Sequence, residues 1–314
     1  MRVLITGGAG FIGSHVADRL LAQGHHVLVI DTYATGRREN LTPQPGLRVV
    51  EGTIADAALV ARAFGEFSPD RVIHAAASYK DPDDWLEDSL TNVVGTANVV
   101  QGARRAGVAR LIYFQTALCY GLHPMEQPIT LAHPLRPEGS SYAISKTTGE
   151  HYVALSGLDF VSLRLANAYG PRNLSGPLPT FYHRLTTHQP CFVADTRRDF
   201  LYIDDLVNLV MLALEERGER GFYHVSSGAD VSIKEIFDAT VRALGIVLDH
   251  EVAIRPRHPD DAYTILLDPS KTERDFGWRA QSSFAAGVAA AVAWYQGHSV
   301  SRTFTHLPQG ERGR

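Results

Sequence analysis

Tyr142 and Lys146 stand four positions apart in SYAISKTTGEHYVAL, a stretch of helical patterning, so both side chains fall on one helix face and reach one site. A lysine ammonium stabilises a phenolate and lowers a tyrosine pKa from about 10 toward working pH, which makes the tyrosine a base for a hydroxyl proton. With 12 tyrosines and 4 lysines in the chain, chance spacing yields roughly 0.15 such pairs. The pair therefore needs its setting. Thr116 supplies one, because it ends the apolar stretch Leu111 to Phe114, at the sheet edge where open parallel sheets bind ligands. There its hydroxyl can hydrogen-bond a substrate hydroxyl or carbonyl. Taken alone, a strand-end threonine is an ordinary β-former.

A second cluster precedes it. Gly7, Gly10 and Gly13 lie between an apolar strand and a helix, where a dinucleotide loop needs a tight turn, close backbone approach to pyrophosphate and close helix packing. Asp31 ends the next strand, and its carboxylate would accept hydrogen bonds from ribose hydroxyls and repel a 2′-phosphate, so NAD is expected rather than NADP. Arg37 and Arg38 give the opposing reading, contact with a 2′-phosphate, or else they belong to a solvated loop.

The elements that must hold these residues follow an alternating rhythm. Val3 to Thr6 reads as a strand, the run with Val16, Leu20 and Leu21 as a helix stopped by Gly24, and Val27 to Ile30 as a strand. The pattern continues through strand Leu47 to Val50, helix Ala57 to Phe67, strand Val72 to Ala76, a long helix from about Trp85 to Arg105, and strand Leu111 to Phe114. Helix Ser141 to Leu155 and strand Phe160 to Leu163 extend it. Such a series predicts an α/β fold, a Rossmann-type doubly wound parallel sheet with a smaller C-terminal substrate-binding lobe. The expected domains are 1–170 with 204–230 for the dinucleotide and 171–203 with 231–298 for the substrate, followed by a disordered tail, 299–314. A helix near Phe181, a returning strand Phe222 to Ser226, a capping box Ser232 with Glu235, a helix start at Asp268 and Pro269, and a closing helix Phe284 to Tyr295 complete the reading.

A chain of 314 residues with 45% hydrophobic content buries one large core or two modest ones. Net charge −4 and a sequence pI near 6.4 speak against a nucleic-acid polymer or an anionic membrane as partner. No apolar run reaches membrane-spanning length, and MRVLITGG reads as a strand rather than a signal peptide, so a cytoplasmic protein is expected. Cys119 and Cys191 lack the spacing of a disulfide or metal framework, and no metal is expected.

Together these residues resemble the extended short-chain dehydrogenase/reductase family, in particular its NAD-dependent nucleotide-sugar epimerases and dehydratases. The resemblance covers about residues 1–296 and rests on TGGAGFIGSH (6–15), VIHAAA (72–77), NVVGT (92–96), TALCYG (116–121), YAISK (142–146), LRLANAYGPR (163–172), RDFLYIDD (198–205) and DPSKTERDFGW (268–278). FQTALCYG and SYKDPDDW also look like an epimerase subgroup from bacterial surface-polysaccharide clusters. The resemblance implies catalysis by Thr116, Tyr142 and Lys146. It implies NAD contacts from Gly7, Gly10, Phe11, Ile12, Gly13, Asp31, Thr35, Gly36, Thr53, Ile54, Ala75, Ala76, Ala77, Asn92 and Leu165, besides Tyr142 and Lys146. For the nucleotide sugar it implies Asn167 and Arg198 at the diphosphate, Phe192 on the base, and Thr116 at the sugar; the alternative readings are a structural ion pair with Asp199 for Arg198 and a core position for Phe192. It also implies a homodimer through the two long helices, Trp85 to Arg105 and Ser141 to Leu155.

The two residues after Thr116 narrow the reaction. Family dehydratases resemble one another in an acid and a base at these positions, and decarboxylases carry a glutamate nearby. Here the positions hold Ala117 and Leu118, so the proton carriers for dehydration are missing. The resemblance then implies a UDP-hexose or UDP-hexuronate 4-epimerase working through a transient 4-keto sugar. A reductase, dehydrogenase or decarboxylase of the same family is the alternative, and a non-catalytic dinucleotide sensor is a third reading. Departures from the family pattern are Thr53, where an adenine-binding aspartate is usual, and His258 to Asp261, where RPGD is usual. Arg255 or Arg257 would then replace the missing phosphate arginine. Lys80, in a short loop from Tyr79 to Trp85, would meet a carboxylated sugar or else be a solvated surface lysine.

Overall fold

A computed structural model describes residues 1–79, 81–257 and 262–298. Lys80, His258 and the tail 299–314 therefore lie outside the described residues.

The chain opens with β1 (Arg2–Thr6), α1 (Phe11–Ala22), β2 (His26–Asp31), β3 (Leu47–Glu51), α2 (Ala57–Phe67) and β4 (Arg71–His74). A long helical segment comes next, α3 (Trp85–Asp88), a π-helical stretch Ser89–Gly95 and α4 (Thr96–Arg105). Then come β5 (Arg110–Thr116), α5 (Ser141–Leu155), β6 (Phe160–Leu165), β7 (Asn167–Tyr169), α6 (Pro177–Thr186), β8 (Phe192–Ala194), β9 (Arg197–Tyr202) and α7 (Ile203–Leu214). The last elements are β10 (Gly221–Val225), β11 (Asp230–Ser232), α8 (Ile233–Leu244), β12 (Ala253–Arg255), α9 (Ser270–Phe276) and α10 (Phe284–Gly297).

Seven parallel strands form the central sheet in the order β10-β6-β5-β4-β1-β2-β3. Strand order reverses between β1 and β4, which opens a crevice at the carboxyl ends of those two strands. Side chains alternate between two cores as a doubly covered sheet requires. Val3, Ile5, Val29, Ile73, Ile112 and Leu163 face α1 and α7, whereas Leu4, Leu28, Ile30, Val72, Leu111 and Tyr113 face α2, α4 and α5.

A separate core joins α6, α8 and α10 in the smaller lobe, where Phe181, Phe237, Val288 and Tyr295 are buried together. The expected capping box of α8 is present, with the Ser232 hydroxyl accepting Glu235 N–H at 3.1 Å and the Glu235 carboxylate accepting Ser232 N–H at 2.7 Å. Between the lobes runs a three-stranded sheet, β11-β9-β7.

One stretch assigned from sequence to the smaller lobe packs elsewhere. Phe276 and Trp278, in and just after α9, are buried in the core beneath α1 and α7, and the Trp278 indole donates to Asp205 O at 2.9 Å. The carboxylate of Asp205 accepts Gln281 and Ser282 N–H at 3.2 and 3.0 Å. Two large rings and three hydrogen bonds outweigh chain order here, since burying rings of this size dominates local packing energetics. Helix α9 also starts one residue later than expected, at Ser270, with Asp268 accepting Ser270 N–H at 3.0 Å.

Candidate active site

The loop after β1 is shaped by its glycines. Gly7 has φ +70° and donates to Ile30 O at 2.8 Å. A Cβ on Gly7 would sit 2.6 Å from Ala76 N, and one on Gly13 would sit 2.3 Å from Gly7 O. At Gly10 such a Cβ would meet Gly7 O at 3.2 Å and no other atom within 4 Å, so the rest of its surroundings is open to a ligand. Gly10 also caps α1 with no side-chain hydrogen bond, and the first turn carries no acidic residue. The N–H groups and the positive dipole end of a three-turn helix are thus left for an anion, which fits a dinucleotide pyrophosphate.

Asp31 is buried, and its two carboxylate oxygens accept Tyr33 N–H at 2.7 Å and Ala9 N–H at 2.8 Å. Burial raises its pKa while those two bonds act against the rise. Each oxygen retains a lone pair for a ribose hydroxyl. The arginines of the opposing NADP reading are paired. Arg37 meets Glu39, and Arg38 reaches both oxygens of Glu51 at 2.7 Å while lying 4.1 Å over the Tyr33 ring. Asn40, which sequence reasoning passed over, donates to Ala9 O at 2.9 Å and ties this loop to the glycine turn.

Other expected cofactor residues border the same crevice or stand near it. Phe11 and Ile12 are half-buried at the start of α1, Thr35 is exposed, and Gly36 has Asp31 Oδ1 2.9 Å from where a Cβ would sit. The Thr53 hydroxyl accepts Ala55 N–H at 3.1 Å in a local turn. Ile54 is almost wholly buried beside Gly95. Ala75, Ala76 and Ala77 continue from β4, with Ala75 N–H on Thr6 O at 3.0 Å. Leu165 ends β6 directly opposite Thr116.

Asn92 lies in the π-helical stretch and works as a staple. Its Oδ1 accepts Ser78 N–H at 2.9 Å, while its Nδ2 donates to Ser78 O at 2.9 Å and to Ser145 Oγ at 3.0 Å. It thereby fixes the loop after β4 against α5, one residue from Lys146.

On α5, Tyr142 and Lys146 occupy the face toward the sheet. The Tyr113 hydroxyl donates to Lys146 O at 2.8 Å, and the Lys146 ammonium stands 4.1 Å from the Tyr113 ring centroid. Burial pushes Lys146 down to about 7, with Glu150 opposing. Tyr142 is shifted the other way, its pKa raised by burial and then by Tyr79 and Asp88. Thr116 Oγ1 accepts Leu118 N–H at 3.1 Å, which occupies a lone pair and leaves its O–H free to donate.

Sequence reasoning missed two neighbours of Tyr142. The ring of Tyr79 lies edge-on to it, 6.3 Å between centroids. Asp88 is 1% exposed, and its Oδ1 has no hydrogen-bond partner among the described residues. The acidic run DPDDWLED hid Asp88 among solvated carboxylates, although its position four before Asn92 places both on one helical face.

The expected substrate residues are spread around the interlobe sheet. Asn167 is exposed and donates to Asp199 O at 3.2 Å. Arg198 donates to Ala262 O at 2.9 Å and Arg197 O at 2.7 Å, so part of its guanidinium holds backbone. The Phe192 ring has the Arg255 guanidinium over it at 3.7 Å and that of Arg184 at 5.4 Å. Arg257 lies exposed just beyond β12.

Comparison with known proteins gives concordant relatives. A model of the NAD dependent epimerase/dehydratase family matches residues 3–225. The Bordetella bronchiseptica enzyme WbmH, solved with NAD+, is 53% identical, with a TM-score of 0.91 over 94% of this chain and 98% of that one. WbmG of the same organism, solved with NAD and UDP, is 49% identical, with a TM-score of 0.92 over 98% of each chain. The UDP-glucose 4-epimerase of Mycolicibacterium smegmatis is 32% identical over 95% of this chain and 100% of its own length.

Proposed function

We propose, on the premise that this chain belongs to the NAD dependent epimerase/dehydratase family, that it is a UDP-sugar 4-epimerase acting on a hexose or hexuronate. NAD is its cofactor and, when bound, supplies the reversible acceptance of hydride at the oxidised carbon. The chain's own residues handle the proton and the orientation. The Tyr142 hydroxyl oxygen takes the proton from the sugar O4 and returns it after the keto sugar has turned. The Lys146 ammonium, on the same helix face, favours the phenolate form of Tyr142. The Thr116 O–H donates to the reacting oxygen from the strand end. Asn167, Arg198 and Phe192 would hold the nucleotide, with Arg255 or Arg257 adding a phosphate contact.

One observation carries the choice of epimerisation. Ala117 and Leu118 continue from Thr116 in a 3₁₀ turn with no carboxylate, so the acid and base that would expel water are missing beside the catalytic set. The test is a panel of UDP, dTDP, GDP and CDP sugars incubated with the NAD-loaded protein and monitored by NMR. Interconversion of C4 epimers of a UDP sugar without net cofactor turnover is expected. Stoichiometric consumption of NAD(P)H would instead make it a reductase or dehydrogenase, and loss of water or carbon dioxide would make it a dehydratase or decarboxylase.

A second copy of the chain is the proposed partner. Leu86, Leu90 and Val94 recur every fourth residue along the segment from α3 onward, and Ile144, Tyr152 and Leu155 line the neighbouring α5, all exposed. Two adjacent helices with apolar outer faces suit pairing with the same two helices of another copy.

A further inference from the structure

Between Thr116 and α5 the chain makes a loop, 121–136, which leaves the 3₁₀ turn Ala117–Tyr120 and returns to it where Arg136 N–H donates to Cys119 O at 2.8 Å. The tip of this loop lies against the segment 262–268 that precedes α9. Ile129 donates its N–H to Leu266 O at 2.7 Å and accepts Asp268 N–H at 2.9 Å, the bonding of a parallel bridge to Leu267. Gln127 repeats this pattern two residues earlier, but with its side chain. Its Nε2 donates to Thr264 O at 3.0 Å and its Oε1 accepts Leu266 N–H at 2.9 Å. Only this orientation of the amide satisfies both a carbonyl and an N–H. The side-chain amide thus stands in for a peptide group and carries the bridge one step further, around Ile265.

The segment that receives Gln127 touches both halves of the site. On one side Ile129, Ala262, Ile265 and Leu267 are buried in one small core with Ala117, Cys119 and Tyr120 of the turn after Thr116. On the other side the segment holds β9 and β11. Tyr263 O accepts Arg197 N–H at 2.7 Å, and Ala262 O accepts Arg198 Nη1 at 2.9 Å. The Thr264 hydroxyl donates to Asp230 at 2.7 Å, and the same carboxylate accepts Arg197 Nε at 3.0 Å. Thr264 O, the acceptor of Gln127, is therefore two residues from the carbonyl that holds the Arg198 guanidinium. Gln127 itself is exposed, where water competes for its hydrogen bonds and their net contribution to stability is small. Two bonds to alternate residues instead fix the offset of the loop along the segment.

We propose that Gln127 is a positioning residue, a clip through which a nucleotide held at Arg198 in the smaller lobe sets the Thr116 turn against the sugar. The proposal rests on the roles proposed above for Arg198 at the nucleotide and Thr116 at the reacting oxygen. A keto sugar turns while its nucleotide stays held, so the offset between the nucleotide anchor and the catalytic turn decides where the reacting carbon lies. Misplacing reacting groups by about 1 Å costs up to about 10²-fold in rate.

Gln127→Glu tests the clip with almost no change of shape, since a carboxylate still accepts Leu266 N–H but has no donor for Thr264 O. Gln127→Leu removes both bonds. Backbone hydrogen exchange is followed in the NAD-loaded proteins with saturating UDP, dTDP, GDP or CDP as the probe. In the parent, the nucleotide that binds is expected to slow exchange in both 197–202 and 117–121, and in the variants in 197–202 alone. With a UDP sugar as substrate, kcat is expected to fall by about 10- to 10²-fold in both variants, while nucleotide Kd and melting temperature stay close to the parent values. Protection of 117–121 in both variants would overturn the proposal, as would a parent in which no nucleotide protects that turn, or the parent kcat in both variants. A joint fall of kcat, nucleotide affinity and melting temperature would also overturn it, because Gln127 would then serve stability alone. A parent that carries protection to the turn yet epimerises no UDP sugar leaves the clip standing and overturns only the reaction.

Discussion

A phenol serves as a base near neutrality only where its anion is stabilised, and the chain surrounds Tyr142 with groups that do the reverse: a buried setting, the Tyr79 ring and the Asp88 carboxylate. Lys146 is the cation that α5 brings to the same face, and burial leaves its own charge in balance near pH 7. Substituting Tyr142 by Phe is expected to lower kcat by about 10²–10⁴-fold. NAD content, read by absorbance of the released cofactor, should stay close to that of the parent protein. A variant that turns over at the parent rate would move the proton to another group. The residue types and spacing of this pair were legible in the sequence. Asp88 was not, because a carboxylate in an acidic run becomes a buried neighbour of Tyr142 only when α3 packs on α5. Asp31 shows the same division. Its strand-end position was readable, but only the folded chain pairs Arg37 and Arg38 with Glu39 and Glu51 and so removes the rival reading.

Among the elements, the loop from β1 to α1 was the easiest to anticipate, since its demands are local. Gly13→Ala places a methyl carbon 2.3 Å from Gly7 O, well inside contact distance, against backbone that must shift. The expected cost is about 1–3 kcal/mol of stability, with weaker NAD binding, to be read by thermal melting with and without NAD. Parent-like values of both would show that the turn has room. The helical segment from Trp85 to Arg105 was anticipated as one helix, but the π-helical stretch at Ser89–Gly95 was not. A wider turn leaves no mark in apolar periodicity. It is where Asn92 reaches both Ser78 and Ser145, and π turns recur at functional sites for this reason.

At the scale of the whole molecule, the reversal of strand order between β1 and β4 sets the cofactor crevice beside the carboxyl ends of β5 and β6, where Thr116 and Leu165 stand in register. The smaller lobe is anchored to this sheet by β9, between β7 and β11, and by the segment around α9 that packs into the larger core. The exposed apolar faces of the segment beginning at α3 and of α5 lead to the last prediction. Leu90→Glu with Ile144→Glu is expected to convert a dimer to a monomer in light-scattering chromatography, while the melting temperature of the NAD-loaded chain stays near that of the parent at low concentration. An unchanged mass, or a parent protein that is already monomeric, would remove the proposed pairing.

Local pattern was enough to determine the parallel α/β architecture, the glycine turn, the acidic residue of β2, the Tyr142 and Lys146 helix face and the absence of carboxylates after Thr116, because each depends on neighbours within a few positions. Tertiary structure alone decided what depends on contacts across many residues. Arg164 meets Glu150 and Tyr120 from separate elements, Trp278 returns to Asp205, and the long helix widens where it must reach a loop and a second helix at once. Neither hydrophobic period nor residue spacing carries that information, since such contacts are selected by the packing of whole elements against one another.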